Sequence, residues 1–122
     1  MDFDLQNSRP IWQQLAEQLS RRIVTGVYPP GSRFPTVREL AADAGVNLNT
    51  MQRALGQLEN EGLVITNRTA GRTVTEEVSV LDAMRKRLAE ELTETYYSGM
   101  GELGFTRAEA AEFAAAEKEE KA

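Results

Sequence analysis

Apolar residues recur at every fourth position from Ile11 through Leu15 and Leu19 to Ile23, flanked by Trp12, Ala16 and Val27. This is a stripe of helical period. Pro10 suits a first helical position, where a missing N–H costs nothing. The helix is predicted to stop near Gly26, because Tyr28-Pro29-Pro30-Gly31-Ser32 cannot continue it. A capping box then opens a second, shorter helix. Thr36 is the N-cap, and Glu39, three residues on, can reach back to the N-cap amide. The helix runs through Val37, Leu40 and Ala41 and ends at Ala44-Gly45, where Gly45 fits a left-handed position just past the end. A third helix starts at once with Asn47 as N-cap. Met51, Ala54, Leu55 and Leu58 form its buried stripe. At about 100° per residue, its opposite face carries Asn49, Gln52, Arg53, Gly56 and Asn60.

The period then changes. Leu63-Val64-Ile65-Thr66 is rich in β-branched residues and predicts a short strand. Asn67-Arg68-Thr69-Ala70-Gly71 is a turn, and Arg72-Thr73-Val74-Thr75 alternates as the returning strand of a hairpin. Beyond Glu77, the residues Val80, Met84, Leu88, Leu92 and Tyr96 repeat every four positions. They predict a helix of about four to five turns, broken by Gly99, Gly101 and Gly104. Thr106 and Glu109 form another capping box and start a last helix. Its charged tail, Glu117-Lys118-Glu119-Glu120-Lys121-Ala122, is expected to fray. The fold class expected is mainly α with a small β hairpin. Residues 1–76 would form one compact domain, and residues 77–122 a short helical segment.

Composition narrows the chemistry. The 122 residues include no cysteine and no histidine. Zinc sites of the Cys/His kind, thiol nucleophiles, imidazole bases and disulfides are therefore excluded. No metal or cofactor is expected. The first residues, Met1-Asp2-Phe3-Asp4-Leu5-Gln6, lack the basic and apolar regions of a signal peptide. No apolar run approaches the roughly 18–20 residues of a membrane span, so a cytoplasmic protein without a membrane partner is expected.

The net charge of −5 argues at first against nucleic acid. Its distribution changes that picture. Residues 1–75 carry eight basic and seven acidic residues, a balance of +1, whereas residues 76–122 carry six basic and twelve acidic ones, a balance of −6. All eight basic residues of the first part are arginine, the side chain suited to bidentate phosphate and guanine contacts.

Two short helices joined by a glycine turn, between a longer helix and a hairpin, form the pattern of a winged helix-turn-helix. Such a unit lays the start of its second helix against base edges in the major groove. Here those residues are Leu48, Asn49, Thr50, Gln52 and Arg53. Asn and Gln can pair bidentately with adenine and Arg with guanine, and an apolar group can meet a thymine methyl. The outer face has no acid before Glu59, whereas a merely solvated helix face normally mixes both signs. In the hairpin turn, Arg68 supplies charge for a minor groove and Gly71 permits close backbone approach. Arg38 could form an ion pair with Glu39, but its place in the first helix of the pair favours a contact with the DNA backbone. Asn47 is mainly a cap. Arg85-Lys86-Arg87 is expected to pair with Glu90, Glu91 and Glu94, and Trp12 to pack against the C-terminal helix.

The runs Pro30-Gly31-Ser32-Arg33-Phe34-Pro35-Thr36-Val37-Arg38-Glu39-Leu40-Ala41, Gly45-Val46-Asn47-Leu48-Asn49-Thr50-Met51-Gln52-Arg53-Ala54-Leu55 and Leu58-Glu59-Asn60-Glu61-Gly62-Leu63-Val64 closely resemble the GntR family of bacterial transcription regulators. The match covers roughly residues 9–75, and the short C-terminal part resembles the YtrA-type subfamily. The resemblance implies a winged helix that binds a palindromic double-stranded DNA operator as a homodimer, and a repressor is expected because such a bound dimer can block polymerase. The implied contacts are Arg38, Asn49, Thr50, Gln52 and Arg53, with Arg68 and Gly71 in the minor groove. In one respect the chain departs from the family. Its wing usually ends Gly-Thr-Phe-Val, whereas this chain has Gly71-Arg72-Thr73-Val74 and so lacks the aromatic that anchors the returning strand.

Two other classes compete with this one. A winged helix used for protein–protein contact would lose the basic and amide face of the third helix, and that face is present. An enzyme would need an acid–base constellation, and the remaining carboxylates, Lys, Ser, Thr and Tyr show no catalytic spacing. A small-molecule effector stays open as a partner, although about 45 residues leave little room for a usual pocket.

Overall fold

The structure is a computed structural model that describes residues 2–69 and 71–121, the side chains of 118–121 excepted. Ala70 of the hairpin turn and Ala122 thus lie outside the described residues, while the backbone of the charged tail, expected to fray, is helical as far as Lys121. The elements run α1 (Ile11–Val24), α2 (Val37–Ala44), α3 (Leu48–Asn60), β1 (Val64–Asn67), β2 (Gly71–Val74), α4 (Val78–Glu102) and α5 (Arg107–Lys121). This is the expected mainly helical architecture with one hairpin. Two compact units divide it, Met1–Arg85 and Lys86–Ala122. The first takes in the opening turns of α4, beyond the boundary at residue 76 expected from sequence.

In the first unit, Leu15, Leu19 and Ile23 of α1 meet Met51, Ala54, Leu55 and Leu58 of α3 in a core that also holds Phe34, Leu40, Leu63, Val64 and Val74. Every one of these side chains is essentially sealed from water. Removal of apolar area at about 25 cal/mol per Å² drives the assembly. Val27, expected beside the α1 stripe, is instead exposed, because the chain has already turned away at Gly26. Pro10 stands one position earlier than expected, as the N-cap of α1.

The caps of α2 and α3 set the helix-turn-helix. The Thr36 hydroxyl accepts from the Glu39 amide at 3.1 Å and donates to the Glu39 carboxylate. That carboxylate therefore meets the Thr36 hydroxyl where the sequence pointed to the amide. Gly45 is left-handed, with φ 68°, and Val46 N–H closes onto the Ala41 carbonyl at 3.1 Å. The Asn47 side chain accepts from Thr50 N–H at 2.8 Å and opens α3.

The hairpin pairs Val64 with Val74 through Asn67 with Gly71, antiparallel. Its outer edge is not left bare. Phe34 N–H donates to the Arg72 carbonyl at 2.8 Å, Val74 N–H to Ser32 at 2.9 Å and Gly31 N–H to Val74 at 2.9 Å. The segment after α1 thus serves β2 as a third strand. Gly31 is required there twice over. Its φ is +79°, and a Cβ would come within 2.6 Å of the Glu76 carboxylate.

An extended N-terminal segment lies along α1. The Gln14 amide takes Gln6 N–H at 2.8 Å and donates to the Gln6 carbonyl at 2.6 Å. One turn on, the Gln18 amide does the same for Asp4, at 3.1 and 2.7 Å. Phe3 and Leu5, between and beside the clamped residues, are half-buried.

Helix α4 has 25 residues, about seven turns, and is longer than expected because it runs through Gly99 and Gly101 to Glu102. Gly104, at φ 93°, is the glycine that ends it. Each interior glycine costs about 1 kcal/mol against alanine. Contacts from α5 offset this: Tyr96 donates its hydroxyl to the Ala110 carbonyl at 2.7 Å, and Arg107 lies over the Tyr97 ring at 4.2 Å. The Thr106–Glu109 capping box of α5 is reciprocal, with both bonds made. Of the basic run in α4, Arg87 pairs with Glu91 as expected. Arg85, however, caps α1 by donating to the Val24 carbonyl at 2.9 Å. Glu94 pairs with Arg107. None of the described helices is long and apolar enough to cross a membrane.

Candidate nucleic-acid interface

The sequence-predicted contact residues fall on three elements of the first unit. Leu48, Asn49, Gln52 and Arg53 are exposed along α3, and Thr50 is half-buried in its first turn. Arg38 is exposed at the second position of α2, while Arg68 and Gly71 are exposed in the hairpin. Leu48 leaves 41% of its surface in solvent at the helix start, an apolar group placed where nothing in the fold needs it. A crevice of about 250 Å³ brings the base of the hairpin (Thr66, Gly71, Arg72) together with Arg33 and the N-terminus of α2 at Thr36 and Val37. Unpaired amides at that helix end and the nearby guanidinium favour an anion.

Which arginines are free to meet DNA follows from what the other side chains occupy. Arg9 and Arg21 share Glu17, each at 3.3 Å. Arg22 is buried, donating to the Tyr28 hydroxyl at 3.0 Å with its guanidinium over the Phe3 ring. Arg72 pairs with Glu59 of α3. Arg22 and Arg72 are thus held within the fold, while Arg9 and Arg21 form exposed ion pairs at its surface. Arg33, Arg38, Arg53 and Arg68 make no ion pair among the described residues. Arg38 does not pair with Glu39, whose carboxylate accepts from the Thr36 hydroxyl.

The segment that pairs with β2 carries a buried aromatic of its own. Phe34 is buried edge-on against Tyr28, ring centroids 4.9 Å apart, on the strand-like segment that pairs with β2. Thr73 itself accepts from the Asn67 side chain at 2.8 Å across the hairpin. The Arg72–Glu59 pair ties the returning strand to α3.

Trp12 has a partner that its sequence position did not suggest: its ring lies under the Arg53 guanidinium at 4.2 Å, since α1 packs along α3. No periodicity links two residues so far apart in sequence, so only the folded arrangement shows the pair.

The profile of the family described as bacterial regulatory proteins, gntR family, matches residues 11–74. The chain is 38% identical to the HTH-type transcriptional regulator YhcF of Bacillus subtilis, over 89% of this chain and 90% of the relative. It is 28% identical to the HTH-type transcriptional repressor YtrA of the same organism, over 82% of each. Among solved structures, a GntR family transcriptional regulator from Listeria monocytogenes superposes with TM-score 0.81 at 32% identity, covering 91% of this chain and 97% of that one. The DNA-binding domain of AraR, solved in complex with an operator, superposes with TM-score 0.53 at 26% identity, covering 62% of this chain and 99% of that one.

Proposed function

This chain belongs to the gntR family of bacterial regulatory proteins, a DNA-binding transcription regulator by membership, and from that premise we propose that it binds a palindromic operator as a homodimer and represses the adjoining genes. The observation that carries the proposal is the sorting of arginines. Arg9, Arg21, Arg22 and Arg72 are engaged by other side chains, and Arg33, Arg38, Arg53 and Arg68 make no ion pair with a carboxylate among the described residues. Arg38 and the crevice at the start of α2 hold phosphates. Leu48, Asn49, Thr50, Gln52 and Arg53 read bases in the major groove. Arg68 and Gly71 reach the minor groove. The likeness to the DNA-binding domain of AraR, solved in complex with an operator, supports DNA as the partner.

The second unit supports pairing of copies. Leu92, Leu103 and Phe113 leave 57, 74 and 51% of their surfaces in solvent, large apolar groups of the kind a partner covers. Repression follows from steric blocking of polymerase by a bound dimer, the sign carried by the YtrA relative's name.

Binding to DNA selected from a random pool, measured over a salt series, tests the proposal. Four free arginines per protomer neutralise about 6–8 phosphates in a dimer, so log affinity is expected to fall with log salt at a slope of about −5 to −7. A slope near zero would remove DNA as the partner. Sedimentation of the full chain is expected to show a dimer at micromolar concentration, and a monomer there would overturn the pairing.

A further inference from the structure

We propose that Trp12 is the positioning residue for Arg53, holding its guanidinium by the face so that its edge stays free to read DNA. The inference rests on the reading of α3 given above. Trp12 is the only tryptophan of the chain. It sits in the first turn of α1, half-buried, with its backbone tied down by Leu15 in the core one turn on. Arg53 is exposed, and its guanidinium carbon lies 4.2 Å from the indole centroid. Among the described residues no carboxylate pairs with it, and Glu59, the acid of α3, pairs with Arg72.

The geometry separates two uses of one group. A guanidinium that stacks on an aromatic ring engages it by its own flat face. Bidentate recognition of guanine O6 and N7, or of a phosphate, engages the N–H donors in its plane. Stacking on Trp12 therefore uses up none of the donors. It does remove rotamer freedom from a long exposed side chain before DNA arrives, and freedom already lost in the free protein is not lost again on binding. The two helices that meet in the core thus also set the aim of one side chain at the surface.

The test is a double-mutant cycle in the full chain, read as affinity for a labelled duplex selected from a random pool and for its single-base variants. Trp12→Leu is expected to weaken binding to the selected duplex by about 3- to 10-fold, and to flatten the preference at the one base pair whose preference Arg53→Ala also abolishes. In the Arg53→Ala background, Trp12→Leu is expected to change nothing. Trp12→Phe, which keeps a ring and loses the indole N–H, is expected to retain most of the affinity. Circular dichroism of each variant confirms a folded chain. Equal losses from Trp12→Leu in both backgrounds would overturn the inference, because the indole would then act on the fold and not through Arg53. Loss on Trp12→Phe as large as on Trp12→Leu would overturn it in favour of direct donation from the indole N–H. An Arg53→Ala variant that binds every duplex like the parent would remove the reading of α3 itself, and the inference with it. A weakened Arg53→Ala beside an unaffected Trp12→Leu would remove the inference alone.

Discussion

Asn49 and Arg53 lie one turn apart on the exposed side of α3, so each is expected to meet a different base pair. Replacing either with alanine should relax base preference at one operator position and cost about 1–3 kcal/mol there. Arg38→Ala should instead weaken all sequences alike and reduce the salt slope by about 1 for each phosphate left unneutralised. A panel of single-base operator variants, titrated at two salt concentrations, separates the two behaviours. Gly56 gives a different kind of test. It lies in the interior of α3, and a Cβ added there would meet nothing within 4 Å. Gly56→Ala should therefore raise stability by about 0.5–1 kcal/mol, through the smaller backbone entropy lost on folding. A shift of the urea midpoint to higher concentration is the expected reading. An unchanged or lower midpoint would show that the helix needs the glycine for a reason internal to the fold.

At the scale of elements, the hairpin hangs on one ring. Phe34 is buried on the segment that pairs with β2, and its amide and that of Val74 complete the outer ladder. Phe34→Ala should cost about 3–5 kcal/mol by urea denaturation and loosen the strands that carry Arg68 and Gly71. A loss under 1 kcal/mol would show that the ladder alone holds the wing. How far these elements can be read from the chain depends on whether their signal is periodic. The helices are legible because Ile11, Leu15, Leu19 and Ile23, or Met51, Leu55 and Leu58, repeat at helical spacing and are bounded by Thr36, Gly45 and Asn47. The polar side of α3, and with it the set of candidate contacts, follows from the same geometry. Phe34 is not legible as an anchor, since its pairing with β2 spans a few residues in a run of turn formers. Gln14 and Gln18 look like ordinary polar positions, because what they grip is main chain and main chain leaves no mark in a sequence. The glycines of α4 mislead about its extent, since their propensity cost is small beside the tertiary contacts of Tyr96 and Tyr97 with α5.

For the whole molecule, charge is arranged by position more than by amount. Residues 76–122 carry a balance of −6 and residues 1–75 only +1, so the long-range field does little to draw DNA in. Attraction comes from the few guanidinium groups that the fold leaves unpaired. Proteins with broad basic faces hold random duplex through the phosphates and can diffuse along it for long stretches. This one, with Arg9, Arg21, Arg22 and Arg72 occupied internally, has little with which to hold on between targets. Its search of a chromosome should then consist of brief visits and three-dimensional hops, with arrest only where the bases suit α3. Single-molecule tracking on stretched DNA at physiological salt would show this as dwell times on random sequence that are short and shorten further with salt, and long one-dimensional trajectories would contradict it. Such a searcher trades the speed of sliding for freedom from the nonspecific DNA that would otherwise sequester it, so few copies per cell would suffice to keep a single operator occupied.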